Sequence, residues 1–461
     1  MNEITQNYRP HPLDARLAAA LPAGALFAVG GRVRDELRTA GGVPPHDLDF
    51  VVAGVPLEAV RAALAGLGRV DLVGASFAVI KLTVDGQTVD VALPRRERST
   101  GSGHRDFAVE AGPGVPLEDD LSRRDFRMNM IARALPEGRL VDPFWGAADI
   151  AAGRISILTP RTFDEDPLRL LRAAQFAARF AFLPTPETLV AMRAAASLVE
   201  AVSAERVAEE LTKLLTLAAR PSIGFELLRE TGVLAHLWPE LLEGVDVEQN
   251  EWHAYDVWRH NMASVDAVPP GDLIARASAL LHDVGKPRTK DGPHFYRHEH
   301  VGADLARAML VRFRFSNETV ATVEHLVRQH MYSQDPELSD AAIRRFVRRI
   351  GPALLEHQFG LRRADIAGSG LPKRDDSNER FEARVREEVA RKPAFSVADL
   401  AIGGADVIEE MVRRGLAEPG FTGDERVGAT LRWLFEQVTD APERNERSSL
   451  FALLQQHFGS V

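Results

Sequence analysis

Two aspartates separated by one residue, Asp47 and Asp49, are the first residues of this chain whose spacing suggests chemistry. They lie at the start of a short apolar stretch that predicts a β-strand, and side chains two apart on a strand share one face. Neighbouring carboxylates repel each other unless a cation lies between them, and Mg²⁺ bridged to substrate phosphates is the usual solution. Asp90, on a later predicted strand, is a candidate third acid at this metal site, and a structural hydrogen-bonding role is an equally good interpretation.

A second set of residues has the chemistry of a nucleotide site. Gly30 and Gly31 follow an apolar run and precede a helical pattern, so their backbone could approach a phosphate closely. Arginines within residues 123–129 offer fixed donor pairs for phosphate oxygens, and Asp125 and Asn129 could hold ribose hydroxyls. Singly, a glycine pair is usually a turn and an arginine cluster usually a solvated helix face. Only their combination favours a nucleotide site.

Asp166 and Arg169 are three residues apart in a helical pattern and therefore project from neighbouring positions on one face. Their ordinary role would be a surface ion pair worth well under ~1 kcal/mol. The sharper hypothesis is that they recognise a base. Cytosine and adenine each present an amino donor beside a ring-nitrogen acceptor, whereas uracil and guanine present the reverse order. An acceptor from Asp166 and donors from Arg169 would match CTP and ATP and leave buried polar groups unpaired against UTP and GTP.

A third set of residues has metal-ligating chemistry. The chain contains no cysteine, so any metal must be bound by His, Asp or Glu. The pair His282-Asp283 lies in an apolar helical stretch. His253 and His260 precede the pair, and several histidines and Asp365 follow it. Neutral imidazole is the commonest metal ligand in proteins. A single His-Asp pair is usually structural, so the hypothesis depends on the whole ordered set.

The elements that position these residues divide the chain into parts. Strand and helix signals alternate as far as about residue 150, and helical periodicity dominates from about residue 163 onward. We therefore predict an α+β protein with a small mixed sheet in an N-terminal head, followed by an all-helical neck, body and tail. The predicted domains are residues 1–150, 151–235, 236–370 and 371–461, and the polar segment 95–106 is predicted to be a mobile loop.

Composition limits the class of protein. The 461 residues include 56 basic and 66 acidic side chains, giving a formal net charge of -10. That charge excludes a protein that coats nucleic acid wholesale, but local clusters such as Arg123-Arg124 could still form a basic track for one RNA. No stretch is apolar enough for a membrane helix. No signal-like pattern is visible at the N-terminus, so we expect a cytoplasmic protein.

The ordered motifs resemble those of class II tRNA nucleotidyltransferases and bacterial poly(A) polymerases. The resemblance covers about residues 26–220 and rests on GGRVRD with DLD, RRDFRMN, LVDPF, EDPLRLLRAAQFAARF and ERVAEEL, in that order. It implies template-independent addition of nucleotides to an RNA 3′ end, by in-line attack of a hydroxyl on an α-phosphate with pyrophosphate leaving. Mg²⁺, tRNA, ATP and CTP are the implied cofactor and partners. One departure is Arg32, which stands where the tRNA enzymes often have a small residue.

The resemblance also implies individual roles. Asp47 and Asp49 would bind the catalytic metals. In the implied nucleotide site, the residues along the triphosphate are Gly30, Gly31, Arg34 and Arg124. The residues that hold the ribose are Asp125 and Asn129. Asp166 and Arg169 are the base-reading pair, and Arg172 completes the site.

The later histidines and aspartates resemble the HD phosphohydrolase domain. That resemblance implies a metal quartet of His260, His282, Asp283 and Asp365, and His300 and His330 could extend it to two metals. Mg²⁺ or a divalent transition metal bound there could activate water against a phosphate ester such as a 2′,3′-cyclic phosphate at a tRNA end. In some relatives this domain is an inert scaffold, but the complete ligand set favours an active site.

Four alternatives remain open at this stage. The polar loop 95–106, which is shortened in enzymes that add only CC, favours complete CCA addition or addition of A alone, and the motifs do not separate these two. A poly(A) polymerase has a basic pair where Ala75-Ser76 stand here, which makes that alternative weaker. The third is an HD nucleotide hydrolase with a degenerate RNA-binding head, against which the intact aspartate pair argues. A purely structural RNA-binding role is the weakest interpretation.

Overall fold

The computed structural model describes Tyr8 and residues 10–39, 48–73, 79–99 and 107–459. The chain forms two compact units, Met1–Leu242 and Glu243–Val461. The predicted α+β class is confirmed, because a mixed sheet lies in the first unit and helices account for most of the rest. Within the described ranges, no helix has both the length and the apolar character that crossing a bilayer requires.

The sheet of the first unit has seven strands in the order β3-β4-β5-β2-β1-β8-β9. Its β2 and β5 are parallel and the other neighbouring pairs are antiparallel. A separate hairpin joins β6 and β7. The strands are β1 Leu26–Val29, β2 Asp49–Val52, β3 Arg69–Val73, β4 Val79–Val84, β5 Gln87–Ala92, β6 Arg95–Ser99, β7 Phe107–Ala111, β8 Ala132–Ala134 and β9 Leu140–Val141.

The hairpin of β4 and β5 matches its prediction, since Asp85 and Gly86 at its turn both have positive φ, as such tight turns require. The predicted loop 95–106 is wrong in part. Arg95–Ser99 is a strand paired with Phe107–Ala111, and the rest of that segment lies outside the described residues. The strand escaped prediction because its letters, RRERS, lack the alternation of apolar and polar residues that indicates a half-buried strand.

Helices cover the sheet and then form the remainder of the first unit. Apolar residues of β1, β2 and β8 pack with residues of α4 in one buried cluster, which fixes the sheet beneath the arginine-rich segment that follows α4. The helices are α1 Pro12–Ala20, α2 Gly31–Arg38, α3 Leu57–Ala65, α4 Leu117–Ser122, α5 Gly146–Ala151, α6 Thr162–Glu165, α7 Leu168–Phe180, α8 Pro186–Ala195, α9 Ala204–Leu217, α10 Pro221–Glu230, α11 Val233–Leu237 and α12 Pro239–Leu242.

The second unit is helical apart from one short strand pair. Its helices are α13 Val257–Ala267, α14 Leu273–Leu281, α15 Lys286–Thr289, α16 His298–Arg312, α17 Asn317–Arg328, α18 Asp340–Ile350, α19 Leu355–Gly368, α20 Ser377–Ala390, α21 Gly404–Arg413, α22 Glu425–Asp440 and α23 Arg447–Gly459. The prediction of an all-helical neck, body and tail over residues 151–461 is corrected by two short strand pairs. In the first unit β10 Arg154–Ile155 pairs with β11 Leu183–Pro184, and in the second unit β12 Lys290–Asp291 pairs with β13 His294–Phe295.

Candidate functional site

The candidate acidic site of the first unit lies where β2 and β5 pair. Asp49 and Asp90 are direct partners in the parallel register of these strands, and in-register neighbours project from the same face of a sheet. Both side chains are exposed. The parallel register of β2 and β5 is what brings the two acids together. Asp47 lies outside the described residues.

Gly30 places the turn between β1 and α2 directly beneath an arginine. Its φ of +66° belongs to the left-handed region, and a Cβ at this position would lie 2.5 Å from Nη1 of Arg124. Glycine therefore permits both the turn and the close approach of the guanidinium. Gly31 begins α2, where its would-be Cβ meets the guanidinium of Arg34 at 3.5 Å. Two predicted triphosphate arginines thus lie against the predicted glycine pair.

Asp120 holds the arginines that follow α4, and the sequence reasoning gave this aspartate no role. Its buried carboxylate pairs with Arg123 at 2.7 Å and with Arg124 at 3.2 Å. Burial alone would raise the pKa of Asp120, but the two guanidinium charges outweigh burial and hold that pKa below its ordinary value. Asp120 therefore stays ionised and fixes where both arginines point.

The predicted ribose residues belong to one hydrogen-bonded chain. Arg34 donates from Nη1 to Oδ1 of Asn129 at 2.9 Å, and Asn129 donates from Nδ2 to Oδ1 of Asp125 at 2.7 Å. Arg172 on α7 donates to the other oxygen of Asp125 at 2.8 Å. Burial opposes ionisation of Asp125, but the charge of Arg172 and these hydrogen bonds keep its pKa below the ordinary value. The chain orients the carboxylate from both sides.

The predicted base-reading pair lines a polar cavity of about 420 Å³, and the side chains of its two members contact different partners. Asp166 accepts from Nη2 of Arg206 at 2.9 Å, and Arg169 donates to the carbonyl oxygen of Arg123 at 2.6 Å. Arg206 on α9 was missed as a site residue because its contact with Asp166 depends on how α9 packs. The cavity is lined by Arg95, Arg123, Glu165, Asp166, Pro167, Arg169, Ala201, Val202, Ser203 and Arg206. Its donors and acceptors suit the edge of a base.

Arg32, the departure from the family pattern, is not part of this constellation. It is buried and pairs with the buried carboxylate of Asp14 on α1 at 2.5 Å. Tyr8 donates to the same carboxylate at 2.9 Å. Arg32 therefore ties α1 to α2, which is a structural role.

The glycine turn supports a first prediction. Replacement of Gly30 by alanine is expected to raise KM for CTP and ATP by about tenfold, because the added methyl group displaces Arg124 from its present position. Gly54→Ala is the matched control: its φ is +74°, but nothing lies within 4 Å of the added methyl group. Both variants carry the backbone cost of a left-handed alanine, roughly 1–2 kcal/mol in thermal unfolding. An equal rise in KM for both would contradict the role given to Arg124.

The second unit brings five histidines and two aspartates together. His260 lies on α13, His282 and Asp283 directly follow α14, and Asp365 lies on α19. The Nε2 atoms of His260 and His282 are 3.0 Å apart, and Nε2 of His260 lies 3.2 Å from Asp283 and 3.3 Å from Asp365. His253, whose ring packs edge-on against that of His260 at 4.7 Å, also has a ligand atom in reach.

Asp283 connects this group to a second one. Its Oδ2 faces His260 and His282, whereas its Oδ1 lies 3.3 Å from Nε2 of His298 and 3.6 Å from Nε2 of His330. The two latter Nε2 atoms are 3.2 Å apart. Two triads of potential ligands therefore share one buried carboxylate. Such a bridging position is suited to two metal ions.

The prediction for His300 is corrected. Its side chain is 41% exposed, and its ring nitrogens lie near Glu299 and Arg328 instead of the cluster. The helix α16 begins at His298, and residues two apart on a helix point to different sides. His298 therefore takes the position expected for His300. The sequence His-Glu-His at residues 298–300 contains the histidine that faces the cluster, but the residue at which α16 begins decides which of the two histidines it is.

The histidines of the cluster have the orientation that metal binding requires. The Nδ1 atoms of His282, His298 and His330 each lie within 2.9 Å of a backbone carbonyl oxygen, which can only accept a hydrogen bond. Nδ1 therefore carries the proton, and each Nε2 is directed into the cluster. Facing nitrogens at 3.0 Å need a proton or a cation between them. The donor set thus fits a divalent metal, with the supporting hydrogen bonds usual around metal-bound histidines.

Electrostatics in the cluster follow from its burial and its charges. Burial alone would lower the pKa of His260, but hydrogen bonds and charges from Asp283 and Asp365 outweigh it and raise this pKa to about 9. In His330 burial wins and lowers the pKa to about 4. Lys286, which sequence reasoning missed, lies 2.5 Å from Oδ2 of Asp283 and is buried. The buried ammonium of Lys286 therefore places a positive charge directly beside the shared carboxylate.

Comparison with known proteins gives three family matches along the chain. Residues 26–156 match the poly A polymerase head domain, residues 181–244 match a probable RNA and SrmB-binding site of polymerase A, and residues 257–379 match the HD domain. Among solved structures, the CCA-adding enzyme of Bacillus stearothermophilus in complex with CTP superposes with a TM-score of 0.70 at 23% identity, covering 94% of this chain and 93% of that chain. The Thermotoga maritima CCA-adding enzyme complexed with tRNA gives 0.56 at 20% identity, covering 98% and 97%. These structures share the fold.

Curated relatives have a higher sequence identity to this chain than these solved structures do. The multifunctional CCA protein of Verminephrobacter eiseniae is 35% identical over 430 residues, which are 89% of this chain and 100% of that protein. The multifunctional CCA protein of Nitrosococcus oceani is 37% identical over 364 residues, 76% of this chain and 86% of that protein. The resemblance found in the motifs is thereby confirmed. The chain belongs to the family of multifunctional CCA proteins.

Proposed function

We propose that the first unit adds C and A nucleotides to the 3′ end of tRNA, using CTP, ATP and Mg²⁺ and releasing pyrophosphate. The observation that carries the proposal is that residues of the separate motifs contact one another: Gly30 lies against Arg124, Asn129 donates to Asp125, and Asp166 lines one cavity with Arg169. It is supported by relatives named multifunctional CCA proteins and by CCA-adding enzymes of the same fold that bind CTP, ATP or tRNA.

Each group of residues has a distinct task in this proposal. Asp47, Asp49 and Asp90 would hold Mg²⁺, which when bound would supply charge neutralisation at the phosphate and lower the pKa of the primer hydroxyl. Gly30, Gly31 and Arg124 approach the triphosphate. Arg34, Asn129 and Arg172 orient Asp125, whose carboxylate faces the ribose. The catalytic contribution of the chain is therefore mainly positioning and electrostatics.

Base selection is assigned to the cavity of Asp166 and Arg169. Replacement of Asp166 by alanine is expected to lower kcat/KM for CTP and ATP and to reduce discrimination against UTP by at least about tenfold. The reason is that the variant removes an acceptor and leaves Arg206 without its partner. Asp164→Ala is the control, since this exposed neighbour on α6 does not line the cavity. Steady-state incorporation of the four nucleotides measures both. Unchanged discrimination in Asp166→Ala would exclude the base-reading role.

The number and identity of the added nucleotides distinguish full CCA addition from addition of A alone and from poly(A) synthesis. The protein is incubated with tRNAs ending before CCA, after C and after CC, with CTP and ATP supplied separately and together, and the products are sequenced. Completion of CCA on all three tRNAs is the expected result. Addition of A to the CC-ended tRNA alone would replace the full-CCA proposal with A addition. Long A tracts on unrelated RNA would replace both with a poly(A) polymerase.

For the second unit we propose a metal-dependent phosphohydrolase that acts on phosphate esters, including a 2′,3′-cyclic phosphate at an RNA end. His260, His282, Asp283 and Asp365 would hold one divalent metal, and Asp283, His298 and His330 a second. When bound, the metals supply Lewis acidity and an activated water. The histidine-rich donor set favours a divalent transition metal over Mg²⁺. Hydrolysis in the presence of Mg²⁺, Mn²⁺ and Ni²⁺, each added to chelator-treated protein, tests the proposal. Inactivity with every metal would leave an inert scaffold.

We also propose a cellular location and a division into domains. Cytoplasmic location is supported by the cysteine-free sequence. The division into a head of residues 1–150, a neck of 151–235, an HD body of 236–370 and a tail of 371–461 is supported by the family matches to residues 26–156 and 257–379.

A further inference from the structure

The neighbourhood of the histidine cluster exposes large apolar side chains. We define the apolar rim as Trp252, Tyr255, Tyr296 and Met331. The described part of the second unit has six large apolar or aromatic side chains that are exposed, and these four each lie within two residues of a histidine of the cluster. Trp252 precedes His253, Tyr296 lies two residues before His298, and Met331 follows His330. Exposure of apolar groups is thus concentrated beside the metal-binding residues.

Trp252 lies on a segment that is fixed at several points. The side-chain carbonyl of Asn250 accepts from the backbone N–H of Trp252 at 3.2 Å, and Ala254 donates to the carbonyl oxygen of Ser369 at 2.8 Å. Lys286 donates to Oε1 of Gln249 at 2.6 Å. This segment turns the ring of His253 inward against His260 and leaves Trp252 50% exposed. The outward tryptophan is therefore held in place beside the cluster.

The tryptophan is paired with a cation. The guanidinium carbon of Arg374 lies 3.5 Å from the centroid of the Trp252 ring, which is the distance of direct stacking. Arg374 is exposed, and it forms no ion pair with a carboxylate of the described residues. The exposed ring of Trp252, next in sequence to His253 of the cluster, thus lies against an exposed guanidinium whose charge also acts on the Asp375 carboxylate. A base that carries a phosphate matches both.

We propose that Trp252, with Arg374 behind it, is the stacking platform for the base of a nucleoside phosphate whose phosphate group lies at the histidine cluster. The inference rests on the proposed hydrolase function and assigns to it a residue that determines its specificity. Substrates with a nucleobase are selected over baseless phosphate esters. The same chemistry is present in a free nucleotide and at an RNA end, and either can be the source of the ligand.

The kinetic test compares two five-membered cyclic phosphates on the full-length, metal-loaded protein: adenosine 2′,3′-cyclic phosphate, and glycerol 1,2-cyclic phosphate, which has no base. Trp252→Ala is expected to lower kcat/KM for the adenosine substrate by between about fivefold and about 100-fold, since one base–aromatic stack has that effect, and to leave the glycerol substrate within about twofold. Trp252→Phe is expected to restore most of the loss. Val311→Ala, at an exposed position of α16 outside the rim, is the control.

A binding readout keeps the inference separate from the hydrolase proposal. Adenosine 2′-phosphate is titrated into metal-free protein while tryptophan emission is recorded. Quenching in the wild type that is absent in Trp252→Phe supports stacking on Trp252 even if the wild type hydrolyses neither substrate. The inference is overturned if quenching persists in Trp252→Phe, or if Trp252→Ala affects both cyclic phosphates equally. A parallel assay with a tRNA ending in a 2′,3′-cyclic phosphate shows whether hydrolysis of the free nucleotide or of the RNA end depends more on Trp252.

Discussion

Replacement of Asp49 by alanine is expected to abolish nucleotide addition to tRNA and to leave phosphate-ester hydrolysis unchanged. Asp49 pairs in register with Asp90 across parallel strands, so the variant removes one of two neighbouring carboxylates on the same face of the sheet. A metal ion at the reacting phosphate contributes several kcal/mol to the transition state, and ~4 kcal/mol corresponds to about a thousandfold in rate. We therefore expect a loss of at least about a thousandfold in kcat/KM for both CTP and ATP. Primer extension of a tRNA that lacks CCA measures it.

The matched control is Asp71→Ala in the same sheet. Asp71 lies on β3 and pairs on the surface with Arg69 at 2.9 Å, so its removal tests the loss of an exposed strand carboxylate alone. Thermal unfolding of both variants should remain close to that of the wild type because both side chains lie on the surface of the sheet. Residual addition above about a tenth of the wild-type rate in Asp49→Ala would contradict a metal-binding role. A parallel loss of hydrolysis would argue against two separate sites.

Replacement of Asp283 by asparagine is expected to abolish phosphate-ester hydrolysis and to leave nucleotide addition intact. Its two oxygens face different histidine pairs, so the variant weakens both proposed metal positions at once. Hydrolysis of adenosine 2′,3′-cyclic phosphate should fall at least about a thousandfold, while CCA addition stays within about twofold. Metal content after equilibrium dialysis should fall in parallel, which provides a readout that does not depend on turnover.

Asp304→Asn is the control for that substitution. Asp304 lies on α16 and makes an exposed pair with Arg328 at 2.7 Å. Because Asp283 is buried among charged groups, thermal unfolding of the metal-free variant must also be recorded to show that the second unit is folded. Full hydrolysis with normal metal content in Asp283→Asn would exclude this carboxylate as a ligand.

Motif order was sufficient to predict the fold class and the family, and the reason lies in local patterns. The glycine pair after β1, the hairpin around Asp85-Gly86 and the long helical stretches after residue 163 each depend on neighbours in sequence. Contacts between distant segments were not predictable in this way. The pairing of Asp49 with Asp90 depends on β2 and β5 being parallel, and the contact of Arg206 with Asp166 spans forty residues.

Helix phase and burial account for the remaining differences. His298 instead of His300 faces the cluster because α16 begins at His298, after Arg297 in the left-handed conformation. Asp120 and Lys286 are charged residues that a sequence pattern assigns to the surface, yet both are buried beside opposite charges. Such pairs become recognisable only when the surrounding elements are known. The roles of the individual site residues remain predictions that the variants above address.

The two proposed reactions take place at independent sites of one chain. The most direct measurement uses a tRNA that lacks CCA and ends in a 2′,3′-cyclic phosphate. Its 3′-hydroxyl is freed only when water cleaves the bond between phosphorus and O3′, which leaves a 2′-phosphate that a second hydrolysis removes. Asp49→Ala and Asp283→Asn are incubated with it separately and as an equimolar mixture, with CTP, ATP, Mg²⁺ and the metal that supports hydrolysis. We predict CCA-ended product from the mixture and from the wild type, and none from either variant alone. CCA-ended product from Asp283→Asn alone, or none from the mixture while the wild type succeeds, would contradict two independent sites.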